Sequence, residues 1–299
     1  GCYRGRVRPS GLPDTDELYG GEDVGVQWSV GRFDLGDALT VNNITFGVVR
    51  SYIGKGGGGA VFLGFAKRRL PRIRPTLLEQ TEVASLRFDF PGRTLSLSPA
   101  SLISPTTDAV RVLDLRPRGA PVANYALRIS RLVVNGQTIP LDRPAVAVLD
   151  SGTTGISVCD QLLDSGLLPP QWREARIEFE TERGATAVVE ASVKRRRRPL
   201  PGARPIDPSA QEFDEFPLIV SPVTVPWFDP GFGDAECADG QPYQCNGQPV
   251  GRRQTLLEAW RVRRRDGLGE APHVLFVGLA FLWQRTLTID VDDGRATIV

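Results

Sequence analysis

The sequence predicts a mostly β protein, and three observations support that fold class. Glycine and proline are frequent, with 32 and 24 among 299 residues, and they are spread along the chain as in loop-rich β folds. Short apolar runs with strand-like alternation recur between them. Two of these runs flank Asn135-Gly136, a dipeptide typical of tight β-hairpins. A chain of this length is long enough for about two domains.

The composition argues against several classes of partner. Hydrophobic residues make up 41% of the chain and charged residues 24%, which is typical of a globular protein. No apolar run approaches the roughly 20 residues that a membrane-spanning helix needs, so we expect no membrane span. The net charge of +1 gives no general reason to expect nucleic acid as a partner.

The N-terminal third of the chain predicts hairpins. Residues 24–30 alternate between apolar and small or polar side chains, and Gly20-Gly21 before them marks a hairpin turn. Residues 36–49 are interpreted as two short strands about a turn at Asn42-Asn43. Asn43 also begins an Asn-x-Thr sequon, so it is a candidate glycosylation site if the chain is secreted.

The remaining segments continue the same pattern of short strands and turns. In chain order we expect a short helix after Pro75, a strand at 84–90, a Pro-, Ser- and Arg-rich crossing at 91–120, the hairpin at 125–139, strands at 175–181 and 187–193, a strand at 273–278, a short helix at 279–283 and a final hairpin about Asp292-Asp293-Gly294.

One aspartate follows the most apolar of these runs. Residues 145–149 are all apolar and lead directly into Asp150, which predicts a buried strand that ends at a carboxylate. A carboxylate in such a place must be hydrogen-bonded or paired. Gly152 permits a sharp turn that brings amide groups near the carboxylate, while Ser151, Thr153 and Thr154 bring hydroxyl groups.

The apolar lead-in and the sequence Asp150-Ser151-Gly152-Thr153-Thr154 resemble the active-site signature of pepsin-like aspartic proteases. Further segments resemble the same family, and they follow one another in the order expected for it. Before Asp150 these are a flap hairpin at Tyr19-Gly20, the segment Asn43–Gly47, the apolar-apolar-Gly segment Phe62-Leu63-Gly64 and a strand pair. After Asp150 they are Val277-Gly278 and the short helix and hairpin that follow. The resemblance implies a two-lobed fold, with a partial N-terminal lobe at 1–95, a crossing at 96–120 and a C-terminal lobe at 121–299.

The resemblance also implies the chemistry. Asp150 is the expected catalytic residue of an aspartic endopeptidase, Ser151 to Thr154 form its turn, and Tyr19 and Gly20 belong to a flap that covers the substrate. A peptide or protein substrate, a monomer, and a secreted, vacuolar or lysosome-like location are expected. No cofactor and no metal are expected.

One departure from the family pattern is serious. Members use two aspartates that share one proton, the first of which lies about forty residues before the flap. Only 18 residues precede Tyr19, and neither Asp14 nor Asp16 nor Asp23 lies in an Asp-x-Gly-Ser/Thr turn. We therefore expect a fragment that lacks the first part of the N-terminal lobe and is inactive alone.

The cysteines, the histidine and the basic run carry weaker signals. Cys237 and Cys245 are eight positions apart and form a candidate disulfide, with two free thiols as the alternative. His273 is the only histidine, and we expect a structural role for it rather than a catalytic one. Residues 194–198 are basic and lack interleaved aromatic residues, so a solvated loop is favoured over a nucleic-acid patch.

Three alternatives to a monomeric two-lobed protease remain open from the sequence. The missing aspartate favours a catalytically inactive pepsin-like protein that binds a peptide or a partner protein. A homodimer in which two Asp150 turns meet ranks lower, because the chain is far longer than one lobe. An Arg-rich nucleic-acid binder would show steeply salt-dependent binding.

Overall fold

The structure, a computed structural model, confirms a mostly β fold. It describes residues 6–19, 22–34, 40–53, 63–69, 75–118, 120, 122–199, 211–223, 268 and 272–299. No helix in these ranges is long and apolar enough to span a bilayer. The described strands form one large sheet, a smaller sheet and two short strand pairs.

The smaller sheet holds the N-terminal hairpins. Its strands are β1 (Val7–Pro9), β2 (Thr15–Tyr19), β3 (Glu22–Asp34) and β4 (Thr40–Ile53). Strand β3 pairs with β1 and β2 along one edge and with β4 along the other. The register pairs Tyr19 with Glu22, so the hairpin predicted at Gly20-Gly21 has its flanking strands in place.

The turn predicted at Asn42-Asn43 is wrong. Strand β4 continues through both residues, and the β3–β4 register shifts there, since Gly31 lies opposite Ile44 and Phe33 lies opposite Val41. Asn43 has a φ of 60°, which is the left-handed conformation that asparagine tolerates better than most residues. The Asn pair therefore forms a β-bulge within one long strand instead of reversing the chain.

The strands that follow are short and numerous. In chain order they are β5 (Lys67–Arg69), β6 (Ser85–Asp89), β7 (Thr94–Ser98), β8 (Val110–Leu113), β9 (Val122–Ala123), β10 (Ala126–Val134), β11 (Gln137–Thr138), β12 (Ala145–Leu149), β13 (Ile156–Cys159), β14 (Glu174–Glu180), β15 (Thr186–Ser192), β16 (Lys194–Pro199), β17 (Gln211–Phe216), β18 (Val220–Val223), β19 (His273–Val277), β20 (Thr286–Asp290) and β21 (Arg295–Ile298).

The helices are single turns. They are α1 (Asp160–Leu163) and α2 (Leu279–Leu282), together with 3-10 turns at Leu78–Gln80 and Arg116–Arg118. The turn predicted after Pro75 and the one predicted after the His273 strand are therefore both present.

The large sheet has a continuous path of strands in the order β18-β13-β19-β12-β10-β8-β21-β20-β6-β7, and β11, β14 and β15 pair beside it. Its apolar side chains form one cluster that includes the fully buried Leu127, Leu132, Ile156, Ile177 and Phe179. The Asn135-Gly136 hairpin is confirmed, since Val134 pairs with Gln137 and both turn residues have positive φ.

Strand β19 lies between two strands that are neighbours along the chain. It runs parallel to β12 and antiparallel to β13, although β12 and β13 are joined directly by the Asp150 turn. The chain therefore crosses behind that turn some 120 residues later. This crossing is the part of the fold that positions the site.

Two segments contain strands that the sequence did not predict, namely the predicted crossing and the predicted basic loop. The crossing at 91–120 contributes β7 and β8 to the large sheet. The basic run is strand β16 and not a loop, and the register places Arg195, Arg196 and Arg198 opposite Glu215, Asp214 and Glu212 of β17. The sequence separation between the two strands hid this complementarity, because pairing of opposite charges across strands is visible only once the register is known.

Candidate active site around Asp150

Asp150 lies directly after a strand that is buried along its whole length. All five residues of β12 are buried, Asp150 is half-buried, and Ser151, Gly152 and Thr154 of the turn are exposed. The strand is an inner one, paired with β10 on one edge and β19 on the other. Because successive side chains point to opposite faces of a sheet, burial of all five means that both faces are covered. The carboxylate therefore sits at the boundary between the core and the surface.

The turn holds both oxygens of the Asp150 carboxylate. The Gly152 amide donates to Oδ1 over 2.9 Å, and the Thr153 hydroxyl donates to Oδ2 over 2.8 Å. The Thr153 amide also donates to the Asp150 carbonyl, which closes the turn. The predicted cage is thus smaller than expected, because in the described structure only Thr153 among the three hydroxyl residues bonds the carboxylate. Hydrogen bonds of this kind fix the orientation of the carboxylate.

The strand end behind the turn is bound to it through backbone groups. The Asp150 amide donates to the Val277 carbonyl over 3.0 Å, and the Gly278 amide donates to the Gly155 carbonyl over 2.9 Å. The first two amides of α2, those of Leu279 and Ala280, donate to the carbonyls of Thr153 and Thr154. The turn and the segment behind it therefore form one hydrogen-bonded unit.

Gly278 is required by the closeness of this contact. A Cβ atom at that position would lie 2.1 Å from the Thr153 carbonyl oxygen and 2.6 Å from the Gly155 carbonyl oxygen. Gly155 is held in the same way, because a Cβ atom there would lie 2.2 Å from the Ile219 carbonyl oxygen. Any side chain at either glycine would push the turn away from its support.

Tyr125, which lies just before β10, forms a hydrogen bond to the segment that contains Gly64. The Leu149 amide, one residue before Asp150, donates to the Tyr125 carbonyl over 3.0 Å. The Tyr125 hydroxyl donates to the Phe65 carbonyl, and burial raises the pKa of the Tyr125 phenol above its ordinary value. Phe65 in turn packs edge-on against Phe88 of β6, with ring centres 5.7 Å apart. The sequence analysis missed Tyr125, and no local pattern marks it.

A groove of about 940 Å³ opens beside the turn. Its lining includes Thr154 of the turn, Leu279 of α2 and Trp283, which directly follows α2, together with Arg176 and Glu190 of the neighbouring strands. Trp283 is 59% exposed, although it is one of the largest apolar side chains of the chain. Asp150 does not line this groove, so the groove contacts the turn through Thr154 and does not include the carboxylate.

His273 has the structural surroundings that the sequence predicts, with partners that the sequence does not reveal. The ring is 1% exposed, and its Nε2 lies 2.6 Å from Oδ1 of Asp142. Its Nδ1 lies 3.7 Å from the Sγ of Cys159, which is a buried free cysteine. Within the described ranges no group of three or more His, Cys, Asp or Glu residues is arranged to bind a metal ion.

The other predicted site residues are only partly placed. The backbone of Tyr19 forms the last pair of the β2–β3 hairpin, but Gly20 lies outside the described residues. Asn43 is exposed, and its Oδ1 accepts a hydrogen bond from Arg8 over 3.0 Å. Cys237 and Cys245 lie outside the described residues, so their pairing stays a prediction.

Comparison with known proteins adds no identification. No protein-family model matches this sequence, and no curated protein matches it significantly. The function must therefore be argued from the site itself.

Proposed function

We propose that this chain is part of a pepsin-like aspartic endopeptidase and that Asp150 is one of its two catalytic carboxylates. The observation that carries the proposal is the Asp150 turn, in which Gly152 and Thr153 each bond one carboxylate oxygen at the end of a buried strand. Such a turn fixes a carboxylate at the surface in one orientation, as a general base requires.

The arrangement behind the turn also supports the proposal. The resemblance implies an apolar-apolar-Gly segment that crosses behind the catalytic turn, and Phe276-Val277-Gly278 lies in that position. The described strand order, with a short helix and a hairpin after Gly278, follows the order that the resemblance implies. The fit concerns several separate segments, so it does not depend on the pentapeptide alone.

The role of Asp150 follows from its hydrogen bonds. With each oxygen accepting one bond, the carboxylate retains lone pairs that can accept a proton from a water molecule. That water attacks the peptide carbonyl, and a second carboxyl group, kept protonated by its ionised neighbour, polarises the same carbonyl. We propose that a segment beyond the present sequence supplies this second carboxyl group.

The test is cleavage of a denatured protein substrate at acid pH by the natural full-length protein. Asp150→Asn is expected to lower kcat/KM by roughly a thousandfold or more, because it removes the base. Asp164→Asn is the matched control, since Asp164 is an exposed carboxylate at the end of α1 and outside the turn. Equal activity of wild type and Asp150→Asn would reject the role of Asp150.

A second candidate function is peptide binding without cleavage. The observation that favours it is that, in the described ranges, both bonds to the Asp150 carboxylate come from its own turn and neither comes from a second carboxyl group. Calorimetry with a peptide library at acid pH, followed by mass spectrometry of the recovered peptides, separates the two functions. Bound and intact peptides would support binding, whereas shortened peptides would support proteolysis.

A further inference from the structure

The chain has one histidine, and it occupies the first position of the strand that crosses behind Asp150. The ring is buried, whereas the side chain of its partner Asp142 is 51% exposed on the loop before β12. The His273 amide also donates to the Pro144 carbonyl over 2.8 Å. Both the backbone and the side chain of His273 therefore form hydrogen bonds that connect the beginning of β19 to that loop.

The neighbours of the ring determine which nitrogen carries the proton. An ionised carboxylate can only accept a hydrogen bond, so the 2.6 Å contact with Asp142 places a hydrogen on Nε2. In the neutral ring Nδ1 is then an acceptor, and the Cys159 thiol faces it over 3.7 Å. The Cys159 sulfur already accepts the Val274 amide over 3.4 Å. The neutral ring is thus compatible with both the Asp142 carboxylate and the Cys159 thiol.

Protonation would disturb this arrangement at one atom. A hydrogen on Nδ1 would point at the Cys159 sulfur, and the thiol hydrogen would have to turn away inside a buried environment. An imidazolium charge would also be buried next to one carboxylate that faces solvent. The site accepts the neutral form much more readily than the charged form.

Strand β19 connects this end of the structure to the candidate active site. It runs in parallel register with β12, from His273 opposite Ala145 to Val277 opposite Leu149. At the far end the Val277 carbonyl accepts the Asp150 amide, and Gly278 contacts the turn. A shift of β19 along β12 would therefore move the groups that support the Asp150 turn.

We propose that neutral His273 is a positioning residue for Asp150, and that protonation of Nδ1 weakens the backbone contacts between the end of β19 and the Asp150 turn. The catalytic importance of those contacts rests on the proposed function. The coupling between His273 and the turn does not rest on it, because β19 itself connects the two.

The charged and titratable groups around the ring set the expected direction. Burial lowers the pKa of His273 below its ordinary value, Asp142 opposes that shift, and the Arg143 guanidinium adds to it. The hydrogen bond from His273 lowers the pKa of Asp142 below its ordinary value, which favours the ionised carboxylate beside the ring. On β13 the facing group is Cys159.

The sign of the pH dependence follows. Because the pKa of the folded state lies below that of the unfolded chain, the stabilisation is complete above pH of about 6.5. It is lost as the pH falls from there towards the pKa of the folded state. Lower pH should therefore weaken the attachment of β19 to the loop before β12.

The first measurement is NMR titration of the single imidazole in the intact chain. We expect a midpoint below 6.5, a further decrease in Asp142→Asn because the opposing carboxylate is gone, and an increase in Arg143→Gln. A midpoint at or above 6.5 in wild type would overturn the proposal.

The second measurement tests the coupling to the turn. In wild type the backbone amide signals of Asp150 and Gly278 should shift with the midpoint of the His273 ring. His273→Gln is the control, because glutamine can donate an N–H to Asp142 but does not titrate in this range. The positioning role would be rejected if the Asp150 and Gly278 amide signals did not change around the midpoint of the ring. It would also be rejected if they changed equally in His273→Gln. Neither readout uses peptidase activity, so this result and failure of the proposed function can be told apart.

Discussion

Two apolar-apolar-Gly segments of the chain, which look alike in sequence, have different surroundings in the structure. A Cβ atom at Gly278 would collide with the carbonyl oxygens of Thr153 and Gly155, whereas a Cβ atom at Gly64 would meet no heavy atom of the described residues within 4 Å. Val277 and Gly278 are hydrogen-bonded to a turn, while the segment at Gly64 is tied to the fold through Phe65 and Tyr125. The glycine of this motif is therefore closely packed at position 278 and loosely packed at position 64.

The difference shows that a packed aspartate turn dictates which residue its neighbour can be. The backbone at Gly278 packs so closely against carbonyl groups of the turn region that glycine is required there. The resemblance implies a matching turn behind Gly64, carrying the other catalytic aspartate. This sequence contains no such turn, and we propose that Gly64 receives it from the same segment that supplies the second carboxyl group.

The largest expected effect comes from adding one methyl group at each glycine. Gly278→Ala should lower the free energy of unfolding by about 3 kcal/mol or more, because neither carbonyl can yield without opening the turn. Gly64→Ala should stay within about 0.5 kcal/mol of wild type. Urea unfolding of both variants measures the difference, and similar losses at the two sites would contradict it.

A smaller effect is expected from the hydroxyl groups of the turn. Thr153→Val keeps the shape of the side chain but removes its 2.8 Å bond to Asp150, at a cost of about 1 kcal/mol in stability. Activity of the full-length protein should fall as well, since the carboxylate loses a donor that orients it. The control Thr154→Val alters an exposed residue of the same turn and should change stability by less than about 0.5 kcal/mol. If Thr154→Val costs as much as Thr153→Val, the hydroxyl bond is not the cause.

The smallest effect concerns the contact on the Gly64 side. Tyr125→Phe removes the hydrogen bond to the Phe65 carbonyl and should cost about 1 kcal/mol or less. Because the pKa of Tyr125 is raised in the folded state, its phenol also contributes stability that is complete below pH of about 10 and is lost above it. The difference in the free energy of unfolding between wild type and Tyr125→Phe should therefore decrease as the pH rises from neutral to alkaline. A constant difference across that range would show that Tyr125 titrates normally.

The local patterns predicted the elements whose partners are close in the chain. The Asn135-Gly136 hairpin, the buried strand at 145–149 and the final hairpin were all predictable, because turn residues and apolar periodicity act over a few positions. The Asp150 turn belongs with them, since its two donors lie two and three residues away.

The errors share a different cause. The Asn pair was predicted as a turn because asparagine favours positive φ, but the extended partner β3 continues past it and converts the turn into a bulge. The basic run was predicted as a loop, yet a strand of opposite charge pairs with it. In both cases a partner strand overrode the local preference.

The sequence by itself determined that the chain is mostly β and that one carboxylate ends its most apolar strand in a turn of donors. Only the tertiary structure decided that β19 crosses behind this turn, that Gly278 is obligatory, and that His273 joins Asp142 across 131 positions of the chain. The reason is physical. Turns and amphipathic periods are set by neighbouring residues, whereas a close backbone contact or a buried histidine depends on strands brought together by burial of the whole core.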